Sequence, residues 1–244
     1  MAVSESRYDE VWALVSAEAT MPADKPEVFG WLQRLCRAAV RSLPATGVGL
    51  SLMSDDGAPT AVAASDPGSE LIEDLQFTLG EGPCLAAFAS GGPVLTADLT
   101  EAARTRWPVY APAAREHGVH AVFAFPMQIG AACLGVLDVY RDRVGELSGP
   151  TLSRAMTFAD VAMRSLLDAQ QLTGDSDVPP GLEDAMGSRL EVYQAQGMVA
   201  VQLKVSLREA MVRLRAYAYA HDRRLSDVAV DVVARRISLE ADEA

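Results

Sequence analysis

An irregular stretch near residue 180 divides this chain of 244 residues into a larger and a smaller part. Residues 173–184 read TGDSDVPPGLED, and their glycines, acidic residues and proline pair interrupt the apolar periodicity on either side. A chain of this length accommodates two domains, because single domains typically hold about 100–150 residues. We predict a helical N-terminal extension at 1–25, a domain at 26–172, a linker at 173–184, a small domain at 185–238 and a tail at 239–244.

The net charge of −12 is unevenly divided along the chain. Between Arg189 and Arg236 there are nine basic and five acidic residues, a local charge of +4, so the remainder carries about −16. A mildly basic small domain therefore follows a strongly acidic one. Of the two domains, only the small one has a net charge that favours an anionic partner.

Composition and motifs exclude several classes of protein. Half of the residues are hydrophobic and 22% are charged, which is a globular balance. No apolar run approaches the roughly 18 residues of a membrane span, and the N-terminal MAVSESRYDE lacks the pattern of a signal peptide. Cys36, Cys84 and Cys133 form no CxxC pair, so neither a disulfide framework nor a metal site is predicted. These features indicate a cytoplasmic protein without a membrane segment, and the excess of arginine over lysine is typical of a GC-rich bacterial genome.

The larger part has helical patterns at its ends and strand patterns between them. Apolar residues at three- and four-residue steps predict helices at 28–43, before Pro44, and at 152–167. Four β-rich runs predict two antiparallel hairpins, and they cover residues 47–53, 60–64, 121–127 and 133–140. This order predicts an α+β domain in which helices pack on one antiparallel sheet.

The connection between the two hairpins is long and contains few regular signals. Glycine and proline punctuate residues 77–98 and 104–120, and we predict irregular loops there. Long connections over a sheet often form the wall of a ligand pocket. We therefore expect a pocket between these loops and the sheet.

Several motifs in this part are similar to those of the GAF domain. They are Leu79-Gly80-Glu81-Gly82-Pro83-Cys84, Asp98, Arg106-Trp107-Pro108, Pro126-Met127 and Leu134-Gly135-Val136-Leu137. The resemblance covers residues 26–170. It implies a small-molecule-sensing fold with a central antiparallel sheet and flanking helices, and it leaves the ligand and any cofactor unknown.

Four residues are candidates for the wall of this ligand pocket, namely Cys84, Trp107, His120 and Phe123. Trp107 and Phe123 can be interpreted either as core residues or as pocket wall. Cys84 can be interpreted as a redox or cofactor-linking thiol or as a small core residue, and the core interpretation is favoured. His117 and His120 could ligate haem or a metal ion. No cysteine or carboxylate at matching spacing accompanies them, so we predict no metal site.

The smaller part has the pattern of three helices. Ser188-Arg-Leu-Glu191 and Ser206-Leu-Arg-Glu209 are capping boxes, which predict helices beginning at about Arg189 and at Leu207. Ser226 offers an N-cap for a third helix. Gly197 lies in the middle of the first helix, where glycine costs about 1 kcal/mol relative to alanine, so we expect a neighbouring helix or a nucleic-acid backbone to approach closely there.

The second of these helices has two different faces. Its predicted core face consists of Leu207, Ala210, Met211, Leu214 and Ala218. The opposite face carries a basic and aromatic stripe, followed by two further arginines, and comprises Arg208, Val212, Arg215, Tyr219, Arg223 and Arg224. Such a stripe can pair with phosphates and stack on unpaired bases. An ordinary solvated helix face has the same pattern, so both interpretations stay open.

The smaller part resembles the ANTAR domain throughout. The matching segments are residues 190–198, 205–210, 214–218 and 223–229, reading LEVYQAQGM, VSLREA, LRAYA and RRLSDVA. The resemblance implies a bacterial antitermination regulator that binds paired RNA stem-loops, usually as a homodimer. It also implies that Ala195 and Gly197 face the RNA and that Arg215, Arg223 and Arg224 contact phosphates or loop bases. At Gln196 the chain departs from the lysine common in the family and loses a cation.

Together these patterns predict a GAF sensor or dimerisation domain joined to an all-α, three-helix ANTAR domain. We expect RNA stem-loops, a second copy of the chain and a small molecule as partners, and no enzymatic activity, because GxSxG, P-loop and HExxH motifs do not occur in a credible context. An alternative is a protein-interaction module whose C-terminal helices bind a protein. Salt dependence of RNA binding distinguishes the two hypotheses.

Overall fold

The computed structural model of the chain describes residues 2–20, 27–53, 59–130, 132–173, 182–221 and 223–239. The chain forms two compact units. The first comprises residues 1–77 and 81–182, and the second comprises residues 78–80 and 183–244. No helix within the described ranges combines the length and the apolarity needed to cross a bilayer.

The first unit is built on one antiparallel sheet with the strand order β2-β1-β5-β4-β3. The strands are β1 (Gly47–Met53), β2 (Pro59–Ala64), β3 (Val94–Thr96), β4 (Ala121–Ile129) and β5 (Ala132–Arg141). Both predicted hairpins are confirmed, since β1 pairs with β2 and β4 pairs with β5. The predicted turn at residues 55–57 lies outside the described residues.

Helices lie on both faces of this sheet. α1 (Ala2–Ser16), α2 (Glu27–Ser42) and α7 (Gly149–Thr173) pack on one another, and α2 and α7 pack on the sheet. The predicted helices at 28–43 and 152–167 are thus confirmed, and the second is longer than expected. α3 (Pro67–Leu79) lies on the other face, because its side chains hydrogen-bond to residues of β1 and β5.

The prediction of irregular loops between the hairpins was wrong. The region contains α4 (Pro83–Ser90), β3, α5 (Glu101–Arg106) and α6 (Tyr110–Glu116). Most glycines and prolines here lie near the ends of these elements, and Pro112 lies in the first turn of α6, where a helix tolerates proline. Pro83 occupies the first turn of α4, and Gly91 ends that helix with a left-handed φ of 64°, a conformation that glycine adopts at little cost.

The second unit contains α8 (Leu182–Leu203), α9 (Leu207–Ala220) and α10 (Leu225–Val233). The start of α9 is confirmed, since Ser206 Oγ accepts a hydrogen bond from the Glu209 backbone N–H at 3.1 Å. Its core combines apolar residues of all three helices, namely Val192, Ala195, Val199, Ala210, Leu214, Ala218, Leu225, Val228, Ala229 and Val232.

Two predicted helix starts in this unit were wrong. α8 begins at Leu182, so Ser188 lies inside the helix, and residues 174–181 of the predicted linker lie outside the described residues. Between Leu182 and Ser188 there is no proline, and the single glycine there, Gly187, does not stop a helix. α10 begins at Leu225 rather than after Ser226, because the buried Leu225 starts the apolar stripe of that helix.

Candidate functional site

Two acidic side chains lie in the interior of the first unit. Glu73 of α3 is 2% exposed and Asp138 of β5 is 0% exposed. Gly49 of β1 pairs with Asp138 across the sheet, and the Glu73 side chain lies directly over that glycine. A Cβ atom at position 49 would overlap Oε1 of Glu73 and would lie 2.5 Å from its Cγ and Cδ. The glycine therefore provides the space that the Glu73 carboxyl occupies.

Hydrogen bonds hold the Glu73 carboxyl in place. The Ser51 hydroxyl donates to Oε2 at 2.5 Å, and the Tyr140 hydroxyl donates to Oε1 at 2.5 Å. Both donors are buried strand residues. Glu73 is thus fixed by the sheet on which it lies.

Gln76 connects Asp138 to the start of α4. Its Nε2 donates to Asp138 Oδ2 at 3.1 Å, and its Oε1 accepts from the Cys84 backbone N–H at 2.8 Å. Gly82 has a φ of 146°, and a Cβ there would overlap Gln76 Oε1. Glycine at position 82 therefore permits both the turn into α4 and the passage of the glutamine side chain. This accounts for one glycine of the Leu79–Cys84 motif.

Burial dominates the electrostatics of this group. It raises the pKa of Glu73 well above its ordinary value, with the neighbouring Asp138 adding to the effect, and it raises the pKa of Asp138 to about 7. Hydrogen bonding to Gln76, Cys84 and Glu73 offsets part of the shift at Asp138. The pKa of the Cys84 thiol is raised for the same reason, burial first and the nearby carboxylates second. None of the groups that shift the Asp138 pKa is a cation.

The structure brings a thiol to these two carboxyls. One ligand atom each from Glu73, Cys84 and Asp138 lies within 4.8 Å of the other two, and we call this set the acid–thiol cluster. Among the described residues, two fully buried polar atoms beside it, Asp138 Oδ1 and the Tyr110 hydroxyl, have no hydrogen-bond partner. Burial raises the pKa of Tyr110 well above its ordinary value, and the charges of Asp138, Glu73 and Cys84 add to the effect. Such a set of donors can bind a cation.

Two of the residues predicted for the wall of the ligand pocket lie on opposite sides of the sheet. Cys84 is fully buried and belongs to the cluster. Phe123 is 1% exposed, which fits a core residue, and it pairs with Val139, whereas Ala124 pairs with Asp138. Successive strand residues point to opposite faces of a sheet, so Phe123 faces away from Asp138 and Cys84.

Trp107 and His120 lie elsewhere in the same unit. Trp107 ends α5 and is 5% exposed, with the Arg106 guanidinium 4.6 Å from its ring centroid. His120 immediately precedes β4, is half-buried, and its backbone N–H donates to the Arg141 carbonyl at 2.8 Å. Their contribution to a ligand pocket stays a prediction.

A second candidate site lies on α9 in the smaller unit. Arg208 is exposed, and Val212 and Tyr219 are 54% and 57% exposed. Arg215 belongs to the same side of the helix but is half-buried. We call these four residues the α9 stripe. Ala210, Leu214 and Ala218 form the buried side of α9, so most of the predicted core face is confirmed. The assignment of Leu207 to the core was wrong, because it is the first residue of α9 and is 59% exposed.

The two arginines that follow α9 differ in their surroundings. Arg223 Nη2 contacts Asp231 Oδ2 at 2.6 Å, and Arg236 Nε contacts the other oxygen of the same carboxylate at 2.6 Å. Hydrogen bonds from Arg223 and then Arg236 lower the pKa of Asp231. Arg223, before α10, and Arg236, after it, therefore bind the same carboxylate of that helix. Arg224 is exposed at the N-cap of α10.

The α8 residues predicted to face RNA have three different environments. Ala195 is 0% exposed and lies in a buried stripe with Val192 and Val199, so a direct RNA contact by its side chain is corrected to a core position. Gln196 Nε2 donates to the Leu207 carbonyl at 2.8 Å and joins α8 to the start of α9. A Cβ at Gly197 would meet no described atom within 4 Å, so no neighbouring helix in the described structure explains this glycine.

Sequence reasoning missed Glu73, Asp138 and Tyr110. They come from three separate elements and meet only through the fold. The one available signal was an isolated acid, Asp138, within the apolar run of β5, since buried acids in strands are rare without a specific partner.

Comparison with known proteins identifies both units. The GAF domain family matches residues 31–165, and the ANTAR domain family matches residues 181–233. No curated protein matches the chain. A GAF domain of a phosphoenolpyruvate-protein phosphotransferase from Coxiella burnetii is similar, with 17% identity, a TM-score of 0.50, and coverage of 70% of this chain and 96% of that chain.

Two further solved structures are similar at lower scores. One is the GAF domain of an Acinetobacter phosphoenolpyruvate-protein phosphotransferase, with 11% identity, a TM-score of 0.48, and coverage of 70% of this chain and 97% of that chain. The other is a free methionine-R-sulfoxide reductase from Neisseria meningitidis, with 15% identity, a TM-score of 0.47, and coverage of 70% and 92%. At these identities the comparison concerns the fold alone.

Proposed function

The chain belongs to the GAF domain family and carries an ANTAR domain behind it, and on that premise we propose that it is a signal-responsive antitermination regulator. Its ANTAR domain binds paired stem-loops in nascent RNA and so prevents a terminator hairpin from forming. The GAF domain senses a small molecule or mediates dimerisation. This combination of domains favours a regulatory protein over an enzyme.

The observation that carries the RNA-binding proposal is the α9 stripe. Arg208 supplies a cation for a phosphate, and the exposed ring of Tyr219 supplies a surface on which an unpaired base can stack. Val212 lies between them and is 54% exposed. A helix face that contacts only solvent usually carries polar side chains, so an exposed valine there favours a binding surface. Apolar and aromatic groups beside cations are typical of surfaces that bind unpaired nucleotides.

Gly197 belongs to a second candidate surface of the ANTAR domain, which is formed by α8 and α10 and the residues after it. Glycine in the middle of a helix costs about 1 kcal/mol relative to alanine, and its open surroundings leave the backbone accessible. Gly197 lines a groove together with Tyr193, Val201, Val232 and Arg235. Because glycine has no Cβ, the groove stays open at residue 197, and an RNA backbone could approach the helix closely there.

The proposed dimer uses the helical layer of the GAF domain. Trp12 of α1 and Met156 of α7 are 40% and 45% exposed. α1 and α7 pack against each other, so these large apolar groups belong to one layer. A second copy of the chain would cover them, and two ANTAR domains would then be available for two stem-loops.

The first prediction concerns RNA binding by full-length protein, measured as an electrophoretic shift of a two-hairpin RNA. Arg208→Gln is expected to weaken binding about tenfold and to reduce the slope of log affinity against log salt by about 0.7–0.9, since one phosphate contact is lost. Tyr219→Ala is expected to weaken binding by a similar factor without changing the slope, because stacking releases no counterions.

Arg213→Gln is the matched control. Arg213 lies on the same helix, roughly 130° around it from the α9 stripe, and pairs with Glu209 at 3.0 Å. Its loss removes the same charge and is expected to leave the affinity nearly unchanged. Arg223 is unsuitable, because its ion pair with Asp231 makes a folding defect indistinguishable from a binding defect.

Equal losses for Arg208→Gln and Arg213→Gln would indicate attraction by net charge rather than a defined surface. Absence of binding to any two-hairpin RNA at low salt, with the ANTAR helices folded by circular dichroism, would contradict the RNA proposal. The protein-interaction alternative would then be favoured, with the same stripe as the surface to test.

A further inference from the structure

We propose that Glu73, Cys84 and Asp138 form a binding site for one divalent transition-metal ion in the interior of the GAF domain. This inference deepens the proposed function by giving a chemical class to the signal. The metal site stands or falls independently of RNA binding, because metal binding can be measured without RNA.

The geometry of the acid–thiol cluster suits a single ion. Its three ligand atoms lie within 4.8 Å of one another. Ligands at about 2.0–2.3 Å from a tetrahedral ion are separated by roughly 3.3–3.8 Å, so binding requires inward movements of about 1 Å or less.

Two buried polar atoms point independently to a missing partner. Asp138 Oδ1 has no hydrogen-bond partner among the described residues, although its carboxyl is fully buried. The Tyr110 hydroxyl also has no hydrogen-bond partner among the described residues, and Tyr110 is 0% exposed. Buried polar groups are almost always satisfied, and each exception calls for an explanation. An ion between the carboxylates, with its bound water, would satisfy both atoms.

The charges of the cluster require a cation or protons. Two carboxyls lie together at 2% and 0% exposure, and no cation is among the groups described as hydrogen-bonding to them, which are Ser51, Tyr140, Gln76 and members of the cluster itself. Two buried carboxylates without a counterion repel each other strongly at low dielectric. A divalent ion would offset two of the three negative charges that the carboxylates and the Cys84 thiolate carry once the thiol proton is released.

The thiol decides the class of metal. Carboxylates alone would suit Mg²⁺ or Ca²⁺, whereas a thiolate ligand favours softer ions such as Zn²⁺ or Fe²⁺. Cys84 lies in the first turn of α4, Glu73 in α3 and Asp138 in β5. The ion would therefore connect three elements that are otherwise linked through Gln76, and loading would tighten their packing.

The test is a titration of metal-free, full-length protein with Co²⁺, which reports a thiolate ligand by its charge-transfer absorption. One equivalent of Co²⁺ is expected to produce this band, and Zn²⁺ is expected to displace it. Cys84→Ser is expected to abolish the band and to weaken Zn²⁺ binding more than about 100-fold, beyond the 10- to 100-fold typical of outer-shell changes. Asp138→Asn is expected to weaken binding by a smaller factor.

The other two cysteines provide matched controls. Cys36 is as deeply buried as Cys84 but does not belong to the cluster, and Cys133 is half-buried. Cys36→Ser and Cys133→Ser are expected to retain the band and the affinity. A band that persists in Cys84→Ser, or that disappears in Cys36→Ser or Cys133→Ser alone, would overturn the assignment.

A measurement on the wild-type protein keeps the proposal testable if Cys84→Ser does not fold. X-ray absorption of the Zn²⁺-loaded chain is expected to show one sulfur ligand at about 2.3 Å together with oxygen ligands. A coordination shell without sulfur, or no stoichiometric binding of Co²⁺ or Zn²⁺, would refute the site. Either result would leave the RNA-binding measurements unaffected.

Discussion

Replacement of Gly49 by alanine is expected to lower the free energy of unfolding of the GAF domain by about 3 kcal/mol. The added Cβ would overlap the Glu73 carboxyl, which cannot move aside without breaking its hydrogen bonds from Ser51 and Tyr140. Overpacking typically costs about 1–3 kcal/mol, and the displaced buried acid adds the loss of at least one hydrogen bond.

Urea unfolding followed by tryptophan fluorescence measures this effect. All three tryptophans, Trp12, Trp31 and Trp107, belong to the first unit, so the signal reports on the GAF domain and not on the ANTAR domain. Gly30→Ala is the control. Gly30 lies inside α2, where an added Cβ would meet no described atom outside the local helix backbone within 4 Å, and alanine there is expected to raise stability by up to about 1 kcal/mol.

A double-mutant cycle isolates the cause. In a Glu73→Ala background the same substitution at Gly49 is expected to cost much less, because the overlapping carboxyl is gone. An equal cost in both backgrounds would contradict the proposed packing of Glu73 over Gly49. A stability loss in Gly30→Ala similar to that in Gly49→Ala would indicate a general intolerance of alanine at these glycines.

The strands and long helices were predictable because their signals are local. Alternating β-branched and apolar residues, with a turn between them, sufficed for β4 and β5.

The short helices α4, α5 and α6 were missed for a physical reason as well. Glycine and proline occur both in loops and at helix ends, and only the tertiary structure distinguishes a loop from a six- to eight-residue helix bounded by such residues.

The candidate sites show the same limit at the level of side chains. Asp138 and Glu73 are 65 positions apart, and the register of β5 against β1 determines that the aspartate shares a face with Gly49. Phe123 was placed with Cys84 because residue type alone does not reveal which face of the sheet a strand residue occupies. Ala195 is different, since its spacing from Val192 and Val199 is a readable core pattern.

The metal-free GAF domain is expected to lose stability as the pH rises from 5 to 7, by about 2 kcal/mol from Asp138 alone. Burial raises the pKa of Asp138 from 3.8 to about 7. Between these values the folded chain keeps a proton that the unfolded chain has released, so raising the pH favours unfolding by about 1.4 kcal/mol per unit. The contribution is fully present below about pH 4 and is lost as the pH rises through 7.

Urea unfolding at pH 5, 6, 7 and 8 in the presence of a chelator, followed by tryptophan fluorescence, measures this slope, and Asp138→Asn is its control. The amide cannot ionise and can still accept the Gln76 hydrogen bond, so the variant is expected to have a shallower slope and to exceed the wild type in stability at pH 8.

Glu73 and Asp160, whose pKa values burial also raises, keep the residual slope negative. Asp66 has a lowered pKa and titrates below this window, so it does not mask the effect. Wild-type stability that stays constant or rises between pH 5 and 7, or an equal slope in Asp138→Asn, would show that Asp138 is not the buried, protonated acid inferred from its surroundings.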